Sequence, residues 1–273
     1  MEIPVALPLQ QDPRFGATLA RLGAAVDTLR LPGAAPVLRL RRFGLNFVSR
    51  GPVWMTDGGD RAATLRAAPI RLMNDEATGD AVLRCAGFRQ VMTPAHVAEL
   101  SLTGTPTDRV TVMRGKWRNI WRKAQNGPLR IARAEFDPDK HRWLLSEDLA
   151  QQQVKRFRAL PQALLLAYAT QNPGDVITFT AYIRNEPVAA MLFILHAPVA
   201  TYHIGWAGPQ GRTHAAHYAL LTAAADHLAD RGFIRLDLGT VDTDSAPGIA
   251  RFKIGSGAVI RPLGGTWAKL PLL

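Results

Sequence analysis

Between His203 and Leu221 the chain reads HIGWAGPQGRTHAAHYALL: a strand-like start, a break at Gly-Pro and Gly-Arg, then a helix. A strand end, a glycine turn and a fresh helix N-terminus leave backbone N–H groups unpaired beside a positive dipole end, which suits an anion such as phosphate. Arg212 in that turn and Arg251 further on can each form bidentate pairs with phosphate or carboxylate. His203 could accept a proton, because an imidazole near neutrality suits general-base work, and Asp237 could orient it. Period-2 alternation groups His203 with Thr201 and Gly205 on one strand face, and Asp237 with Phe233 and Arg235 on a face of another. The structural alternatives stay open: a hydrogen-bonded core histidine and a loop-capping aspartate. Lys253 follows Phe252 in a turn-rich stretch, where the plain alternative is a solvated lysine beside a buried ring. His214 and His217 are three apart, but no Cys, Asp or Glu signature accompanies them, so no metal site is expected. Asp242 and Asp244 read as turn formers.

Elements must hold these groups. In the first part the pattern predicts a helix over 15–30, two strands with a Gly44 turn over 36–54, helices over 60–68 and 77–87, and strands over 70–73 and 96–102. GTPT at 104–107 reads as a linker. A helix capped by Asp108 is expected to run to the Asn126-Gly127-Pro128 stop. On it Trp117 and Trp121 fall on an apolar face, and Arg114, Arg118 and Arg122 form a stripe that suits a nucleic-acid backbone or a wet surface. The second part predicts a strand over 129–136 and a helix over 141–160. Three strands follow with tight turns, over 176–183, 187–196 and 199–206, which forces an antiparallel meander. After them come a helix over 214–230, a strand over 233–238, a short helix from 245 or 247, and strands over 258–263 and 266–270.

Composition bounds the rest. The 273 residues carry a formal net charge of +11 and a pI of about 10.6, a balance that favours anionic partners. The single cysteine, Cys85, allows no internal disulfide, and the N-terminus lacks a basic n-region and a long apolar run. No stretch has the roughly 18 apolar residues of a membrane helix. A cytoplasmic protein without a membrane span is expected.

The order β-α-β-β-β-α-β-α-β resembles the Gcn5-related N-acetyltransferase (GNAT) fold. Its turn after the fourth strand holds the pyrophosphate of coenzyme A through a Q/R-x-x-G-x-G/A pattern. Here Gln210, Thr213 and Ala215 occupy those positions, with threonine at the central glycine and Gly211 beside it. The segments AGF (86–88), AELSL (98–102), KWRNIWRKAQNG (116–127), YHIGWAG (202–208), GFIRLDLGTVD (232–242) and PGIARFKIGSGA (247–258) are similar to the FemAB family of peptidoglycan-bridge aminoacyltransferases. RGPVW (50–54) resembles that family's N-terminal half. The resemblance implies an α/β fold of two tandem N-acetyltransferase-like domains, each a mixed, mostly antiparallel sheet flanked by helices. The expected division is 1–107 and 108–273, with room for the last strand to return to the first domain. It implies acyl transfer from aminoacyl-tRNA or acyl-CoA to an amine, such as a cell-wall precursor or peptide, with no tightly bound cofactor. The chain is shorter than most peptidoglycan members and shows no long helical-hairpin arm of the kind some carry for tRNA. Lys253 would neutralise the acyl donor or the oxyanion, with His203 and Asp237 where two parallel strands splay. Arg212, Arg251, Gln210, Gly211, Thr213, Tyr202 and Trp206 would bind substrate. The other class left open is a non-catalytic protein of the same fold that binds a nucleotide or nucleic acid.

Overall fold

The structure is a computed structural model and describes residues 5–155 and 159–269. The expected helix over 141–160 and strand over 266–270 run partly outside those residues. The chain divides into two compact units, 1–97 with 261–273, and 98–260.

The first unit holds α1 (Pro13–Arg21), β1 (Ala25–Leu29), β2 (Val37–Arg42), β3 (Leu45–Val48), α2 (Arg61–Ala67), β4 (Leu72–Asp75), α3 (Asp80–Cys85) and β5 (Arg89–Met92). The expected helix over 15–30 is two elements. Gly23 takes a φ of +84°, which ends α1, and the chain leaves it as β1. Phe43 and Gly44, both at positive φ, make a two-residue hairpin between β2 and β3. The sheet order is β1-β2-β3-β4-β13-β5, where β13 (Gly265–Ala268) enters from the far end of the chain. It lies antiparallel to both β4 and β5 and brings Trp267, fully buried, into the core with Met73, Leu83 and Phe88.

The second unit begins with β6 (His96–Ser101), α4 (Pro106–Thr111) and α5 (Gly115–Gln125). The GTPT stretch is therefore a helix start. Thr105 and Asp108 form a reciprocal capping box around Pro106, so Asp108 sits inside the first turn and is not the cap. The single helix expected from 108 breaks at Val112, and the Arg114 N–H then donates to the Gly255 carbonyl at 3.0 Å. Next come β7 (Arg130–Glu135), α6 (Arg142–Lys155), α7 (Gln162–Gln171), β8 (Val176–Ile183), β9 (Glu186–His196) and β10 (Val199–Ala207). They are followed by α8 (Pro209–Thr213), α9 (Ala216–Asp230), β11 (Arg235–Val241), α10 (Pro247–Gly255) and β12 (Val259–Pro262). Arg184 and Asn185, both at positive φ, join β8 to β9. The sheet order is β12-β6-β11-β10-β9-β8-β7. The core packs Leu220, Leu221 and Leu228 of α9 against Phe179, Met191 and Phe193 of β8 and β9, with Trp117 of α5 beneath. No helix among the described residues is long and apolar enough to cross a membrane.

Candidate active site

The site forms where two parallel strands part. β10 and β11 pair at Val199–Arg235, Ala200–Leu236 and Thr201–Asp237, and there the ladder stops, although β10 runs to Ala207 and β11 to Val241. β10 stays with β9, with a bulge between Tyr202 and Ile204. Gly208 N–H donates to the Val188 carbonyl at 2.9 Å, which sets the phase of that ladder. By alternation, the N–H groups of Gly205 and Ala207 point to the side that β11 has left. Carbonyls of this stretch are held by side chains. Gln151 Nε2 donates to Gly205 O at 3.2 Å, His217 Nε2 to Trp206 O at 2.9 Å, and Arg212 Nη1 to Ala207 O.

A groove of about 480 Å³ follows the gap. Its walls are Gln151 and Lys155 of α6, Tyr202 and Gly205 of β10, the first turn of α9, and Ile249 and Phe252 of α10. Tyr202 lies over Gly205 so closely that a Cβ at 205 would stand 1.7 Å from its hydroxyl. Tyr218 packs between Trp117 (4.8 Å) and Phe252 (5.2 Å between centroids). Burial raises both tyrosine hydroxyls above their ordinary range, more so for Tyr202, so both stay protonated donors at neutral pH. Burial also lowers His217, and the charge of Lys155 pushes the same way. Trp117 is buried in the core and the half-buried Trp121 packs against it. Among the described residues neither indole N–H has a hydrogen-bond partner, while Arg114 and Arg122 stay exposed.

The glycine turn differs from the single helix start expected from sequence. Residues 209–213 form the one-turn α8, Ala215 takes a left-handed φ of +51°, and α9 starts at Ala216. Arg212 and Gly211 line the groove. Gln210, Thr213 and Trp206 instead line a separate cavity of about 810 Å³ beside the β8–β9 hairpin. Trp206 Nε1 there donates to Glu147 at 2.7 Å. Gly211 is needed for close approach, since a Cβ would lie 2.1 Å from the Val188 carbonyl oxygen, a backbone atom that cannot swing away. Gly211→Ala is expected to cost about 1–3 kcal/mol of stability, as overpacking does, and to move the turn off β9. A denaturant melt with unchanged midpoint would contradict this.

Four expected residues sit differently. Lys253 lies on a regular helix, α10, and is 6% exposed. Its ammonium donates to the Thr240 carbonyl at 2.8 Å, behind the groove wall. Burial lowers it to about 8, while the charge of nearby Asp237 acts in the opposite direction. Asp237 is buried at the last position of β11 that pairs with β10 and accepts the Gly239 N–H at 2.7 Å. Lys253 and Asp237 are thus brought together. His203 falls at the β10 bulge, which breaks the two-residue period. Tyr202 and Gly205 therefore share a face, and Thr201, level with Asp237, lies on the other. Burial pushes His203 down to about 4, away from the near-neutral value expected of a base. Arg251 is exposed on α10 and does not line the groove. Sequence reasoning missed Gln151, Lys155 and Tyr218 as groove residues. The signal for Tyr218 was its place in the first turn after the glycine break.

The acetyltransferase (GNAT) domain family profile matches residues 112–253. No curated protein matches the chain. Among solved structures, FemX is similar at 11% identity and a TM-score of 0.72, over 96% of this chain and 94% of that one. A C-terminal domain of a putative lysylphosphatidylglycerol synthetase from Agrobacterium fabrum follows at 14% and 0.60, over 96% and 89%. A tandem GNAT protein from the clavulanic acid biosynthesis pathway stands at 14% and 0.53, over 95% and 89%. At such identities these likenesses show a shared two-domain fold. The profile spans more than half of the chain and contains the strand gap, the glycine turn and Lys253, so the chain belongs to the acetyltransferase (GNAT) domain family and is an acyltransferase.

Proposed function

We propose that the groove transfers an acyl or aminoacyl group from an anionic carrier, coenzyme A or tRNA, to an amine. The observation that carries this is the parting of β10 from β11 after Thr201, with a groove in the gap and Arg212 and Lys155 at its rim. The carrier's phosphate would sit against the first turn of α9 and Arg212. In the reaction the neutral amine nitrogen bonds to the acyl carbon, the ester or thioester bond breaks, and the proton lost from nitrogen ends on the leaving oxygen or sulfur, so the carrier departs as its free alcohol or thiol. The N–H groups that face the gap and the Tyr202 and Tyr218 hydroxyls are donors for the oxyanion or the leaving group. Lys253 and Asp237 act from behind, by fixing α10 against the end of β11. His203 at about 4 lies far below an alkylammonium, so it is a poor base and is given no proton-transfer role. Arg251, Gln210, Thr213 and Trp206 lie outside the groove lining, where they could meet only distal parts of the carrier or acceptor. The reading places the reaction in the cytoplasm, where both carriers are charged. The names of FemX and the lysylphosphatidylglycerol synthetase domain accompany the same fold and favour keeping an aminoacyl donor beside acyl-CoA.

Native mass spectrometry against coenzyme A, acyl-CoAs and charged tRNA tests this reading. One carrier is expected to bind, and Arg212→Ala to weaken it about tenfold or more, the loss of a charge-assisted bond to phosphate. Binding of none of them would sink it.

A further inference from the structure

Burying a carboxylate without a counter-charge is costly, and this fold keeps one beside the groove. Asp148 on α6 is 5% exposed. Among the described residues it accepts one hydrogen bond, from the Gln152 amide at 2.6 Å, and forms no ion pair. Two other acids of the same unit, Asp226 and Glu99, meet Arg109 and Arg235. Burial holds the Asp148 carboxyl above its ordinary range, and its charge helps to raise the Tyr202 hydroxyl, so the two are within electrostatic reach. Tyr202 is the first residue of β10 beyond the last pair with β11. Along α6, Asp148 and Lys155 are seven residues apart, two turns or about 10 Å on the same side of the helix. Gln151 stands between them and is tied to Gly205. Asp148 therefore shares a helix face with Gln151 and Lys155, the two α6 residues that wall the groove, and Lys155 puts positive charge two turns away at the rim.

We infer that Asp148 is the ammonium-binding group of the groove, taking a primary ammonium of a reactant beside the Tyr202 hydroxyl. This rests on the acyl-transfer reading. A neutral acyl chain would be better served by an apolar side chain at 148, whereas a cation offsets the buried charge directly. The ammonium has two sources, the α-ammonium of an aminoacyl donor or the acceptor amine before it loses its proton.

The test uses the full chain, with butylammonium chloride and 1-butanol as matched probes in an NMR amide-shift titration. Wild type is expected to bind butylammonium at least tenfold more tightly than butanol at groove amides. Asp148→Asn, which keeps an oxygen for Gln152, is expected to lose that preference, and Asp148→Glu to retain most of it. If the asparagine variant fails to fold, the wild-type ratio of the two probes still decides. Equal wild-type affinities overturn the inference, as does a preference that survives in a folded Asp148→Asn. A second comparison assigns the source. Tighter binding of S-glycyl-CoA than of acetyl-CoA, lost in Asp148→Asn, identifies the donor. Butylammonium bound alongside acetyl-CoA identifies the acceptor. Absence of any carrier binding would remove the acyl-transfer reading and leave the ammonium site standing on the butylammonium ratio.

Discussion

Replacing Gly205 with alanine is expected to lower kcat/KM about a hundredfold. The new methyl carbon would stand 1.7 Å from the Tyr202 hydroxyl and 2.8 Å from its ring carbon Cζ, so the ring must leave its place in the groove. Tyr202 rests on Phe193, centroids 5.8 Å apart, within the main core of the second unit. Moving it costs stability as well, about 1–3 kcal/mol by the usual range for overpacking. The larger effect falls on turnover, because a displaced hydroxyl no longer meets the developing charge. Losing one preorganised donor of that kind costs roughly 3 kcal/mol. The measurement is carrier release with an amine acceptor, beside the melting temperature. Tyr202→Ala alone should lose a similar factor, and the double variant should be far less than additive, because both changes remove the same group. Additive losses would show that Gly205 serves something other than the Tyr202 position.

The second large effect is a pH dependence of stability. Lys253 sits at about 8 in the folded chain against an ordinary 10.5. Between those values the unfolded chain holds a proton that the folded chain has released. Stability therefore rises with pH through that window, on the order of 3 kcal/mol in total at 1.36 kcal/mol per unit. Below pH 8 both states carry the ammonium, and the folded state bears the cost of burying it. Lys253→Met removes that cost and leaves the Thr240 carbonyl without its donor, a loss of about 1–3 kcal/mol. The two nearly offset at pH 7. At pH 10 the wild type is expected to gain on the methionine variant by a few kcal/mol, with other titrations cancelling in the difference. Denaturant melts of both proteins at pH 7 and pH 10 measure it. A difference that stays constant with pH would mean that Lys253 titrates as a solvated lysine.

Local patterning made most of the second unit legible. The meander of β8, β9 and β10 followed from strand-length runs joined by tight turns, and the glycine break before α9 pointed to the groove. What could not be read depended on single backbone events. The bulge at His203 defeats strand alternation, because one extra residue reverses every face assignment beyond it. Thr105 and Asp108 turned an apparent linker into a capped helix. α7 carries apolar residues all round, as in ALLLAYA, so it has no helical period to detect. Asp148 and Lys155 lie on a helix whose polar residues look like a solvated face, and only packing against β10 separates the buried acid from the exposed base. Lys253 was singled out by the FK motif, but its burial and its bond to Thr240 come from tertiary packing alone.

The placement of β13 bears on the order in which the protein can be made. The strand that sits between β4 and β5 and supplies Trp267 emerges from the ribosome after every residue of the second unit. Until then β4 and β5 have no common neighbour, and the core around Met73, Leu83 and Phe88 lacks its largest side chain. The N-terminal unit therefore cannot complete its sheet until the last strand of the chain is available. A purified chain cut back to residue 262 is expected to keep the second unit folded and to leave the N-terminal unit without its central strand pairing.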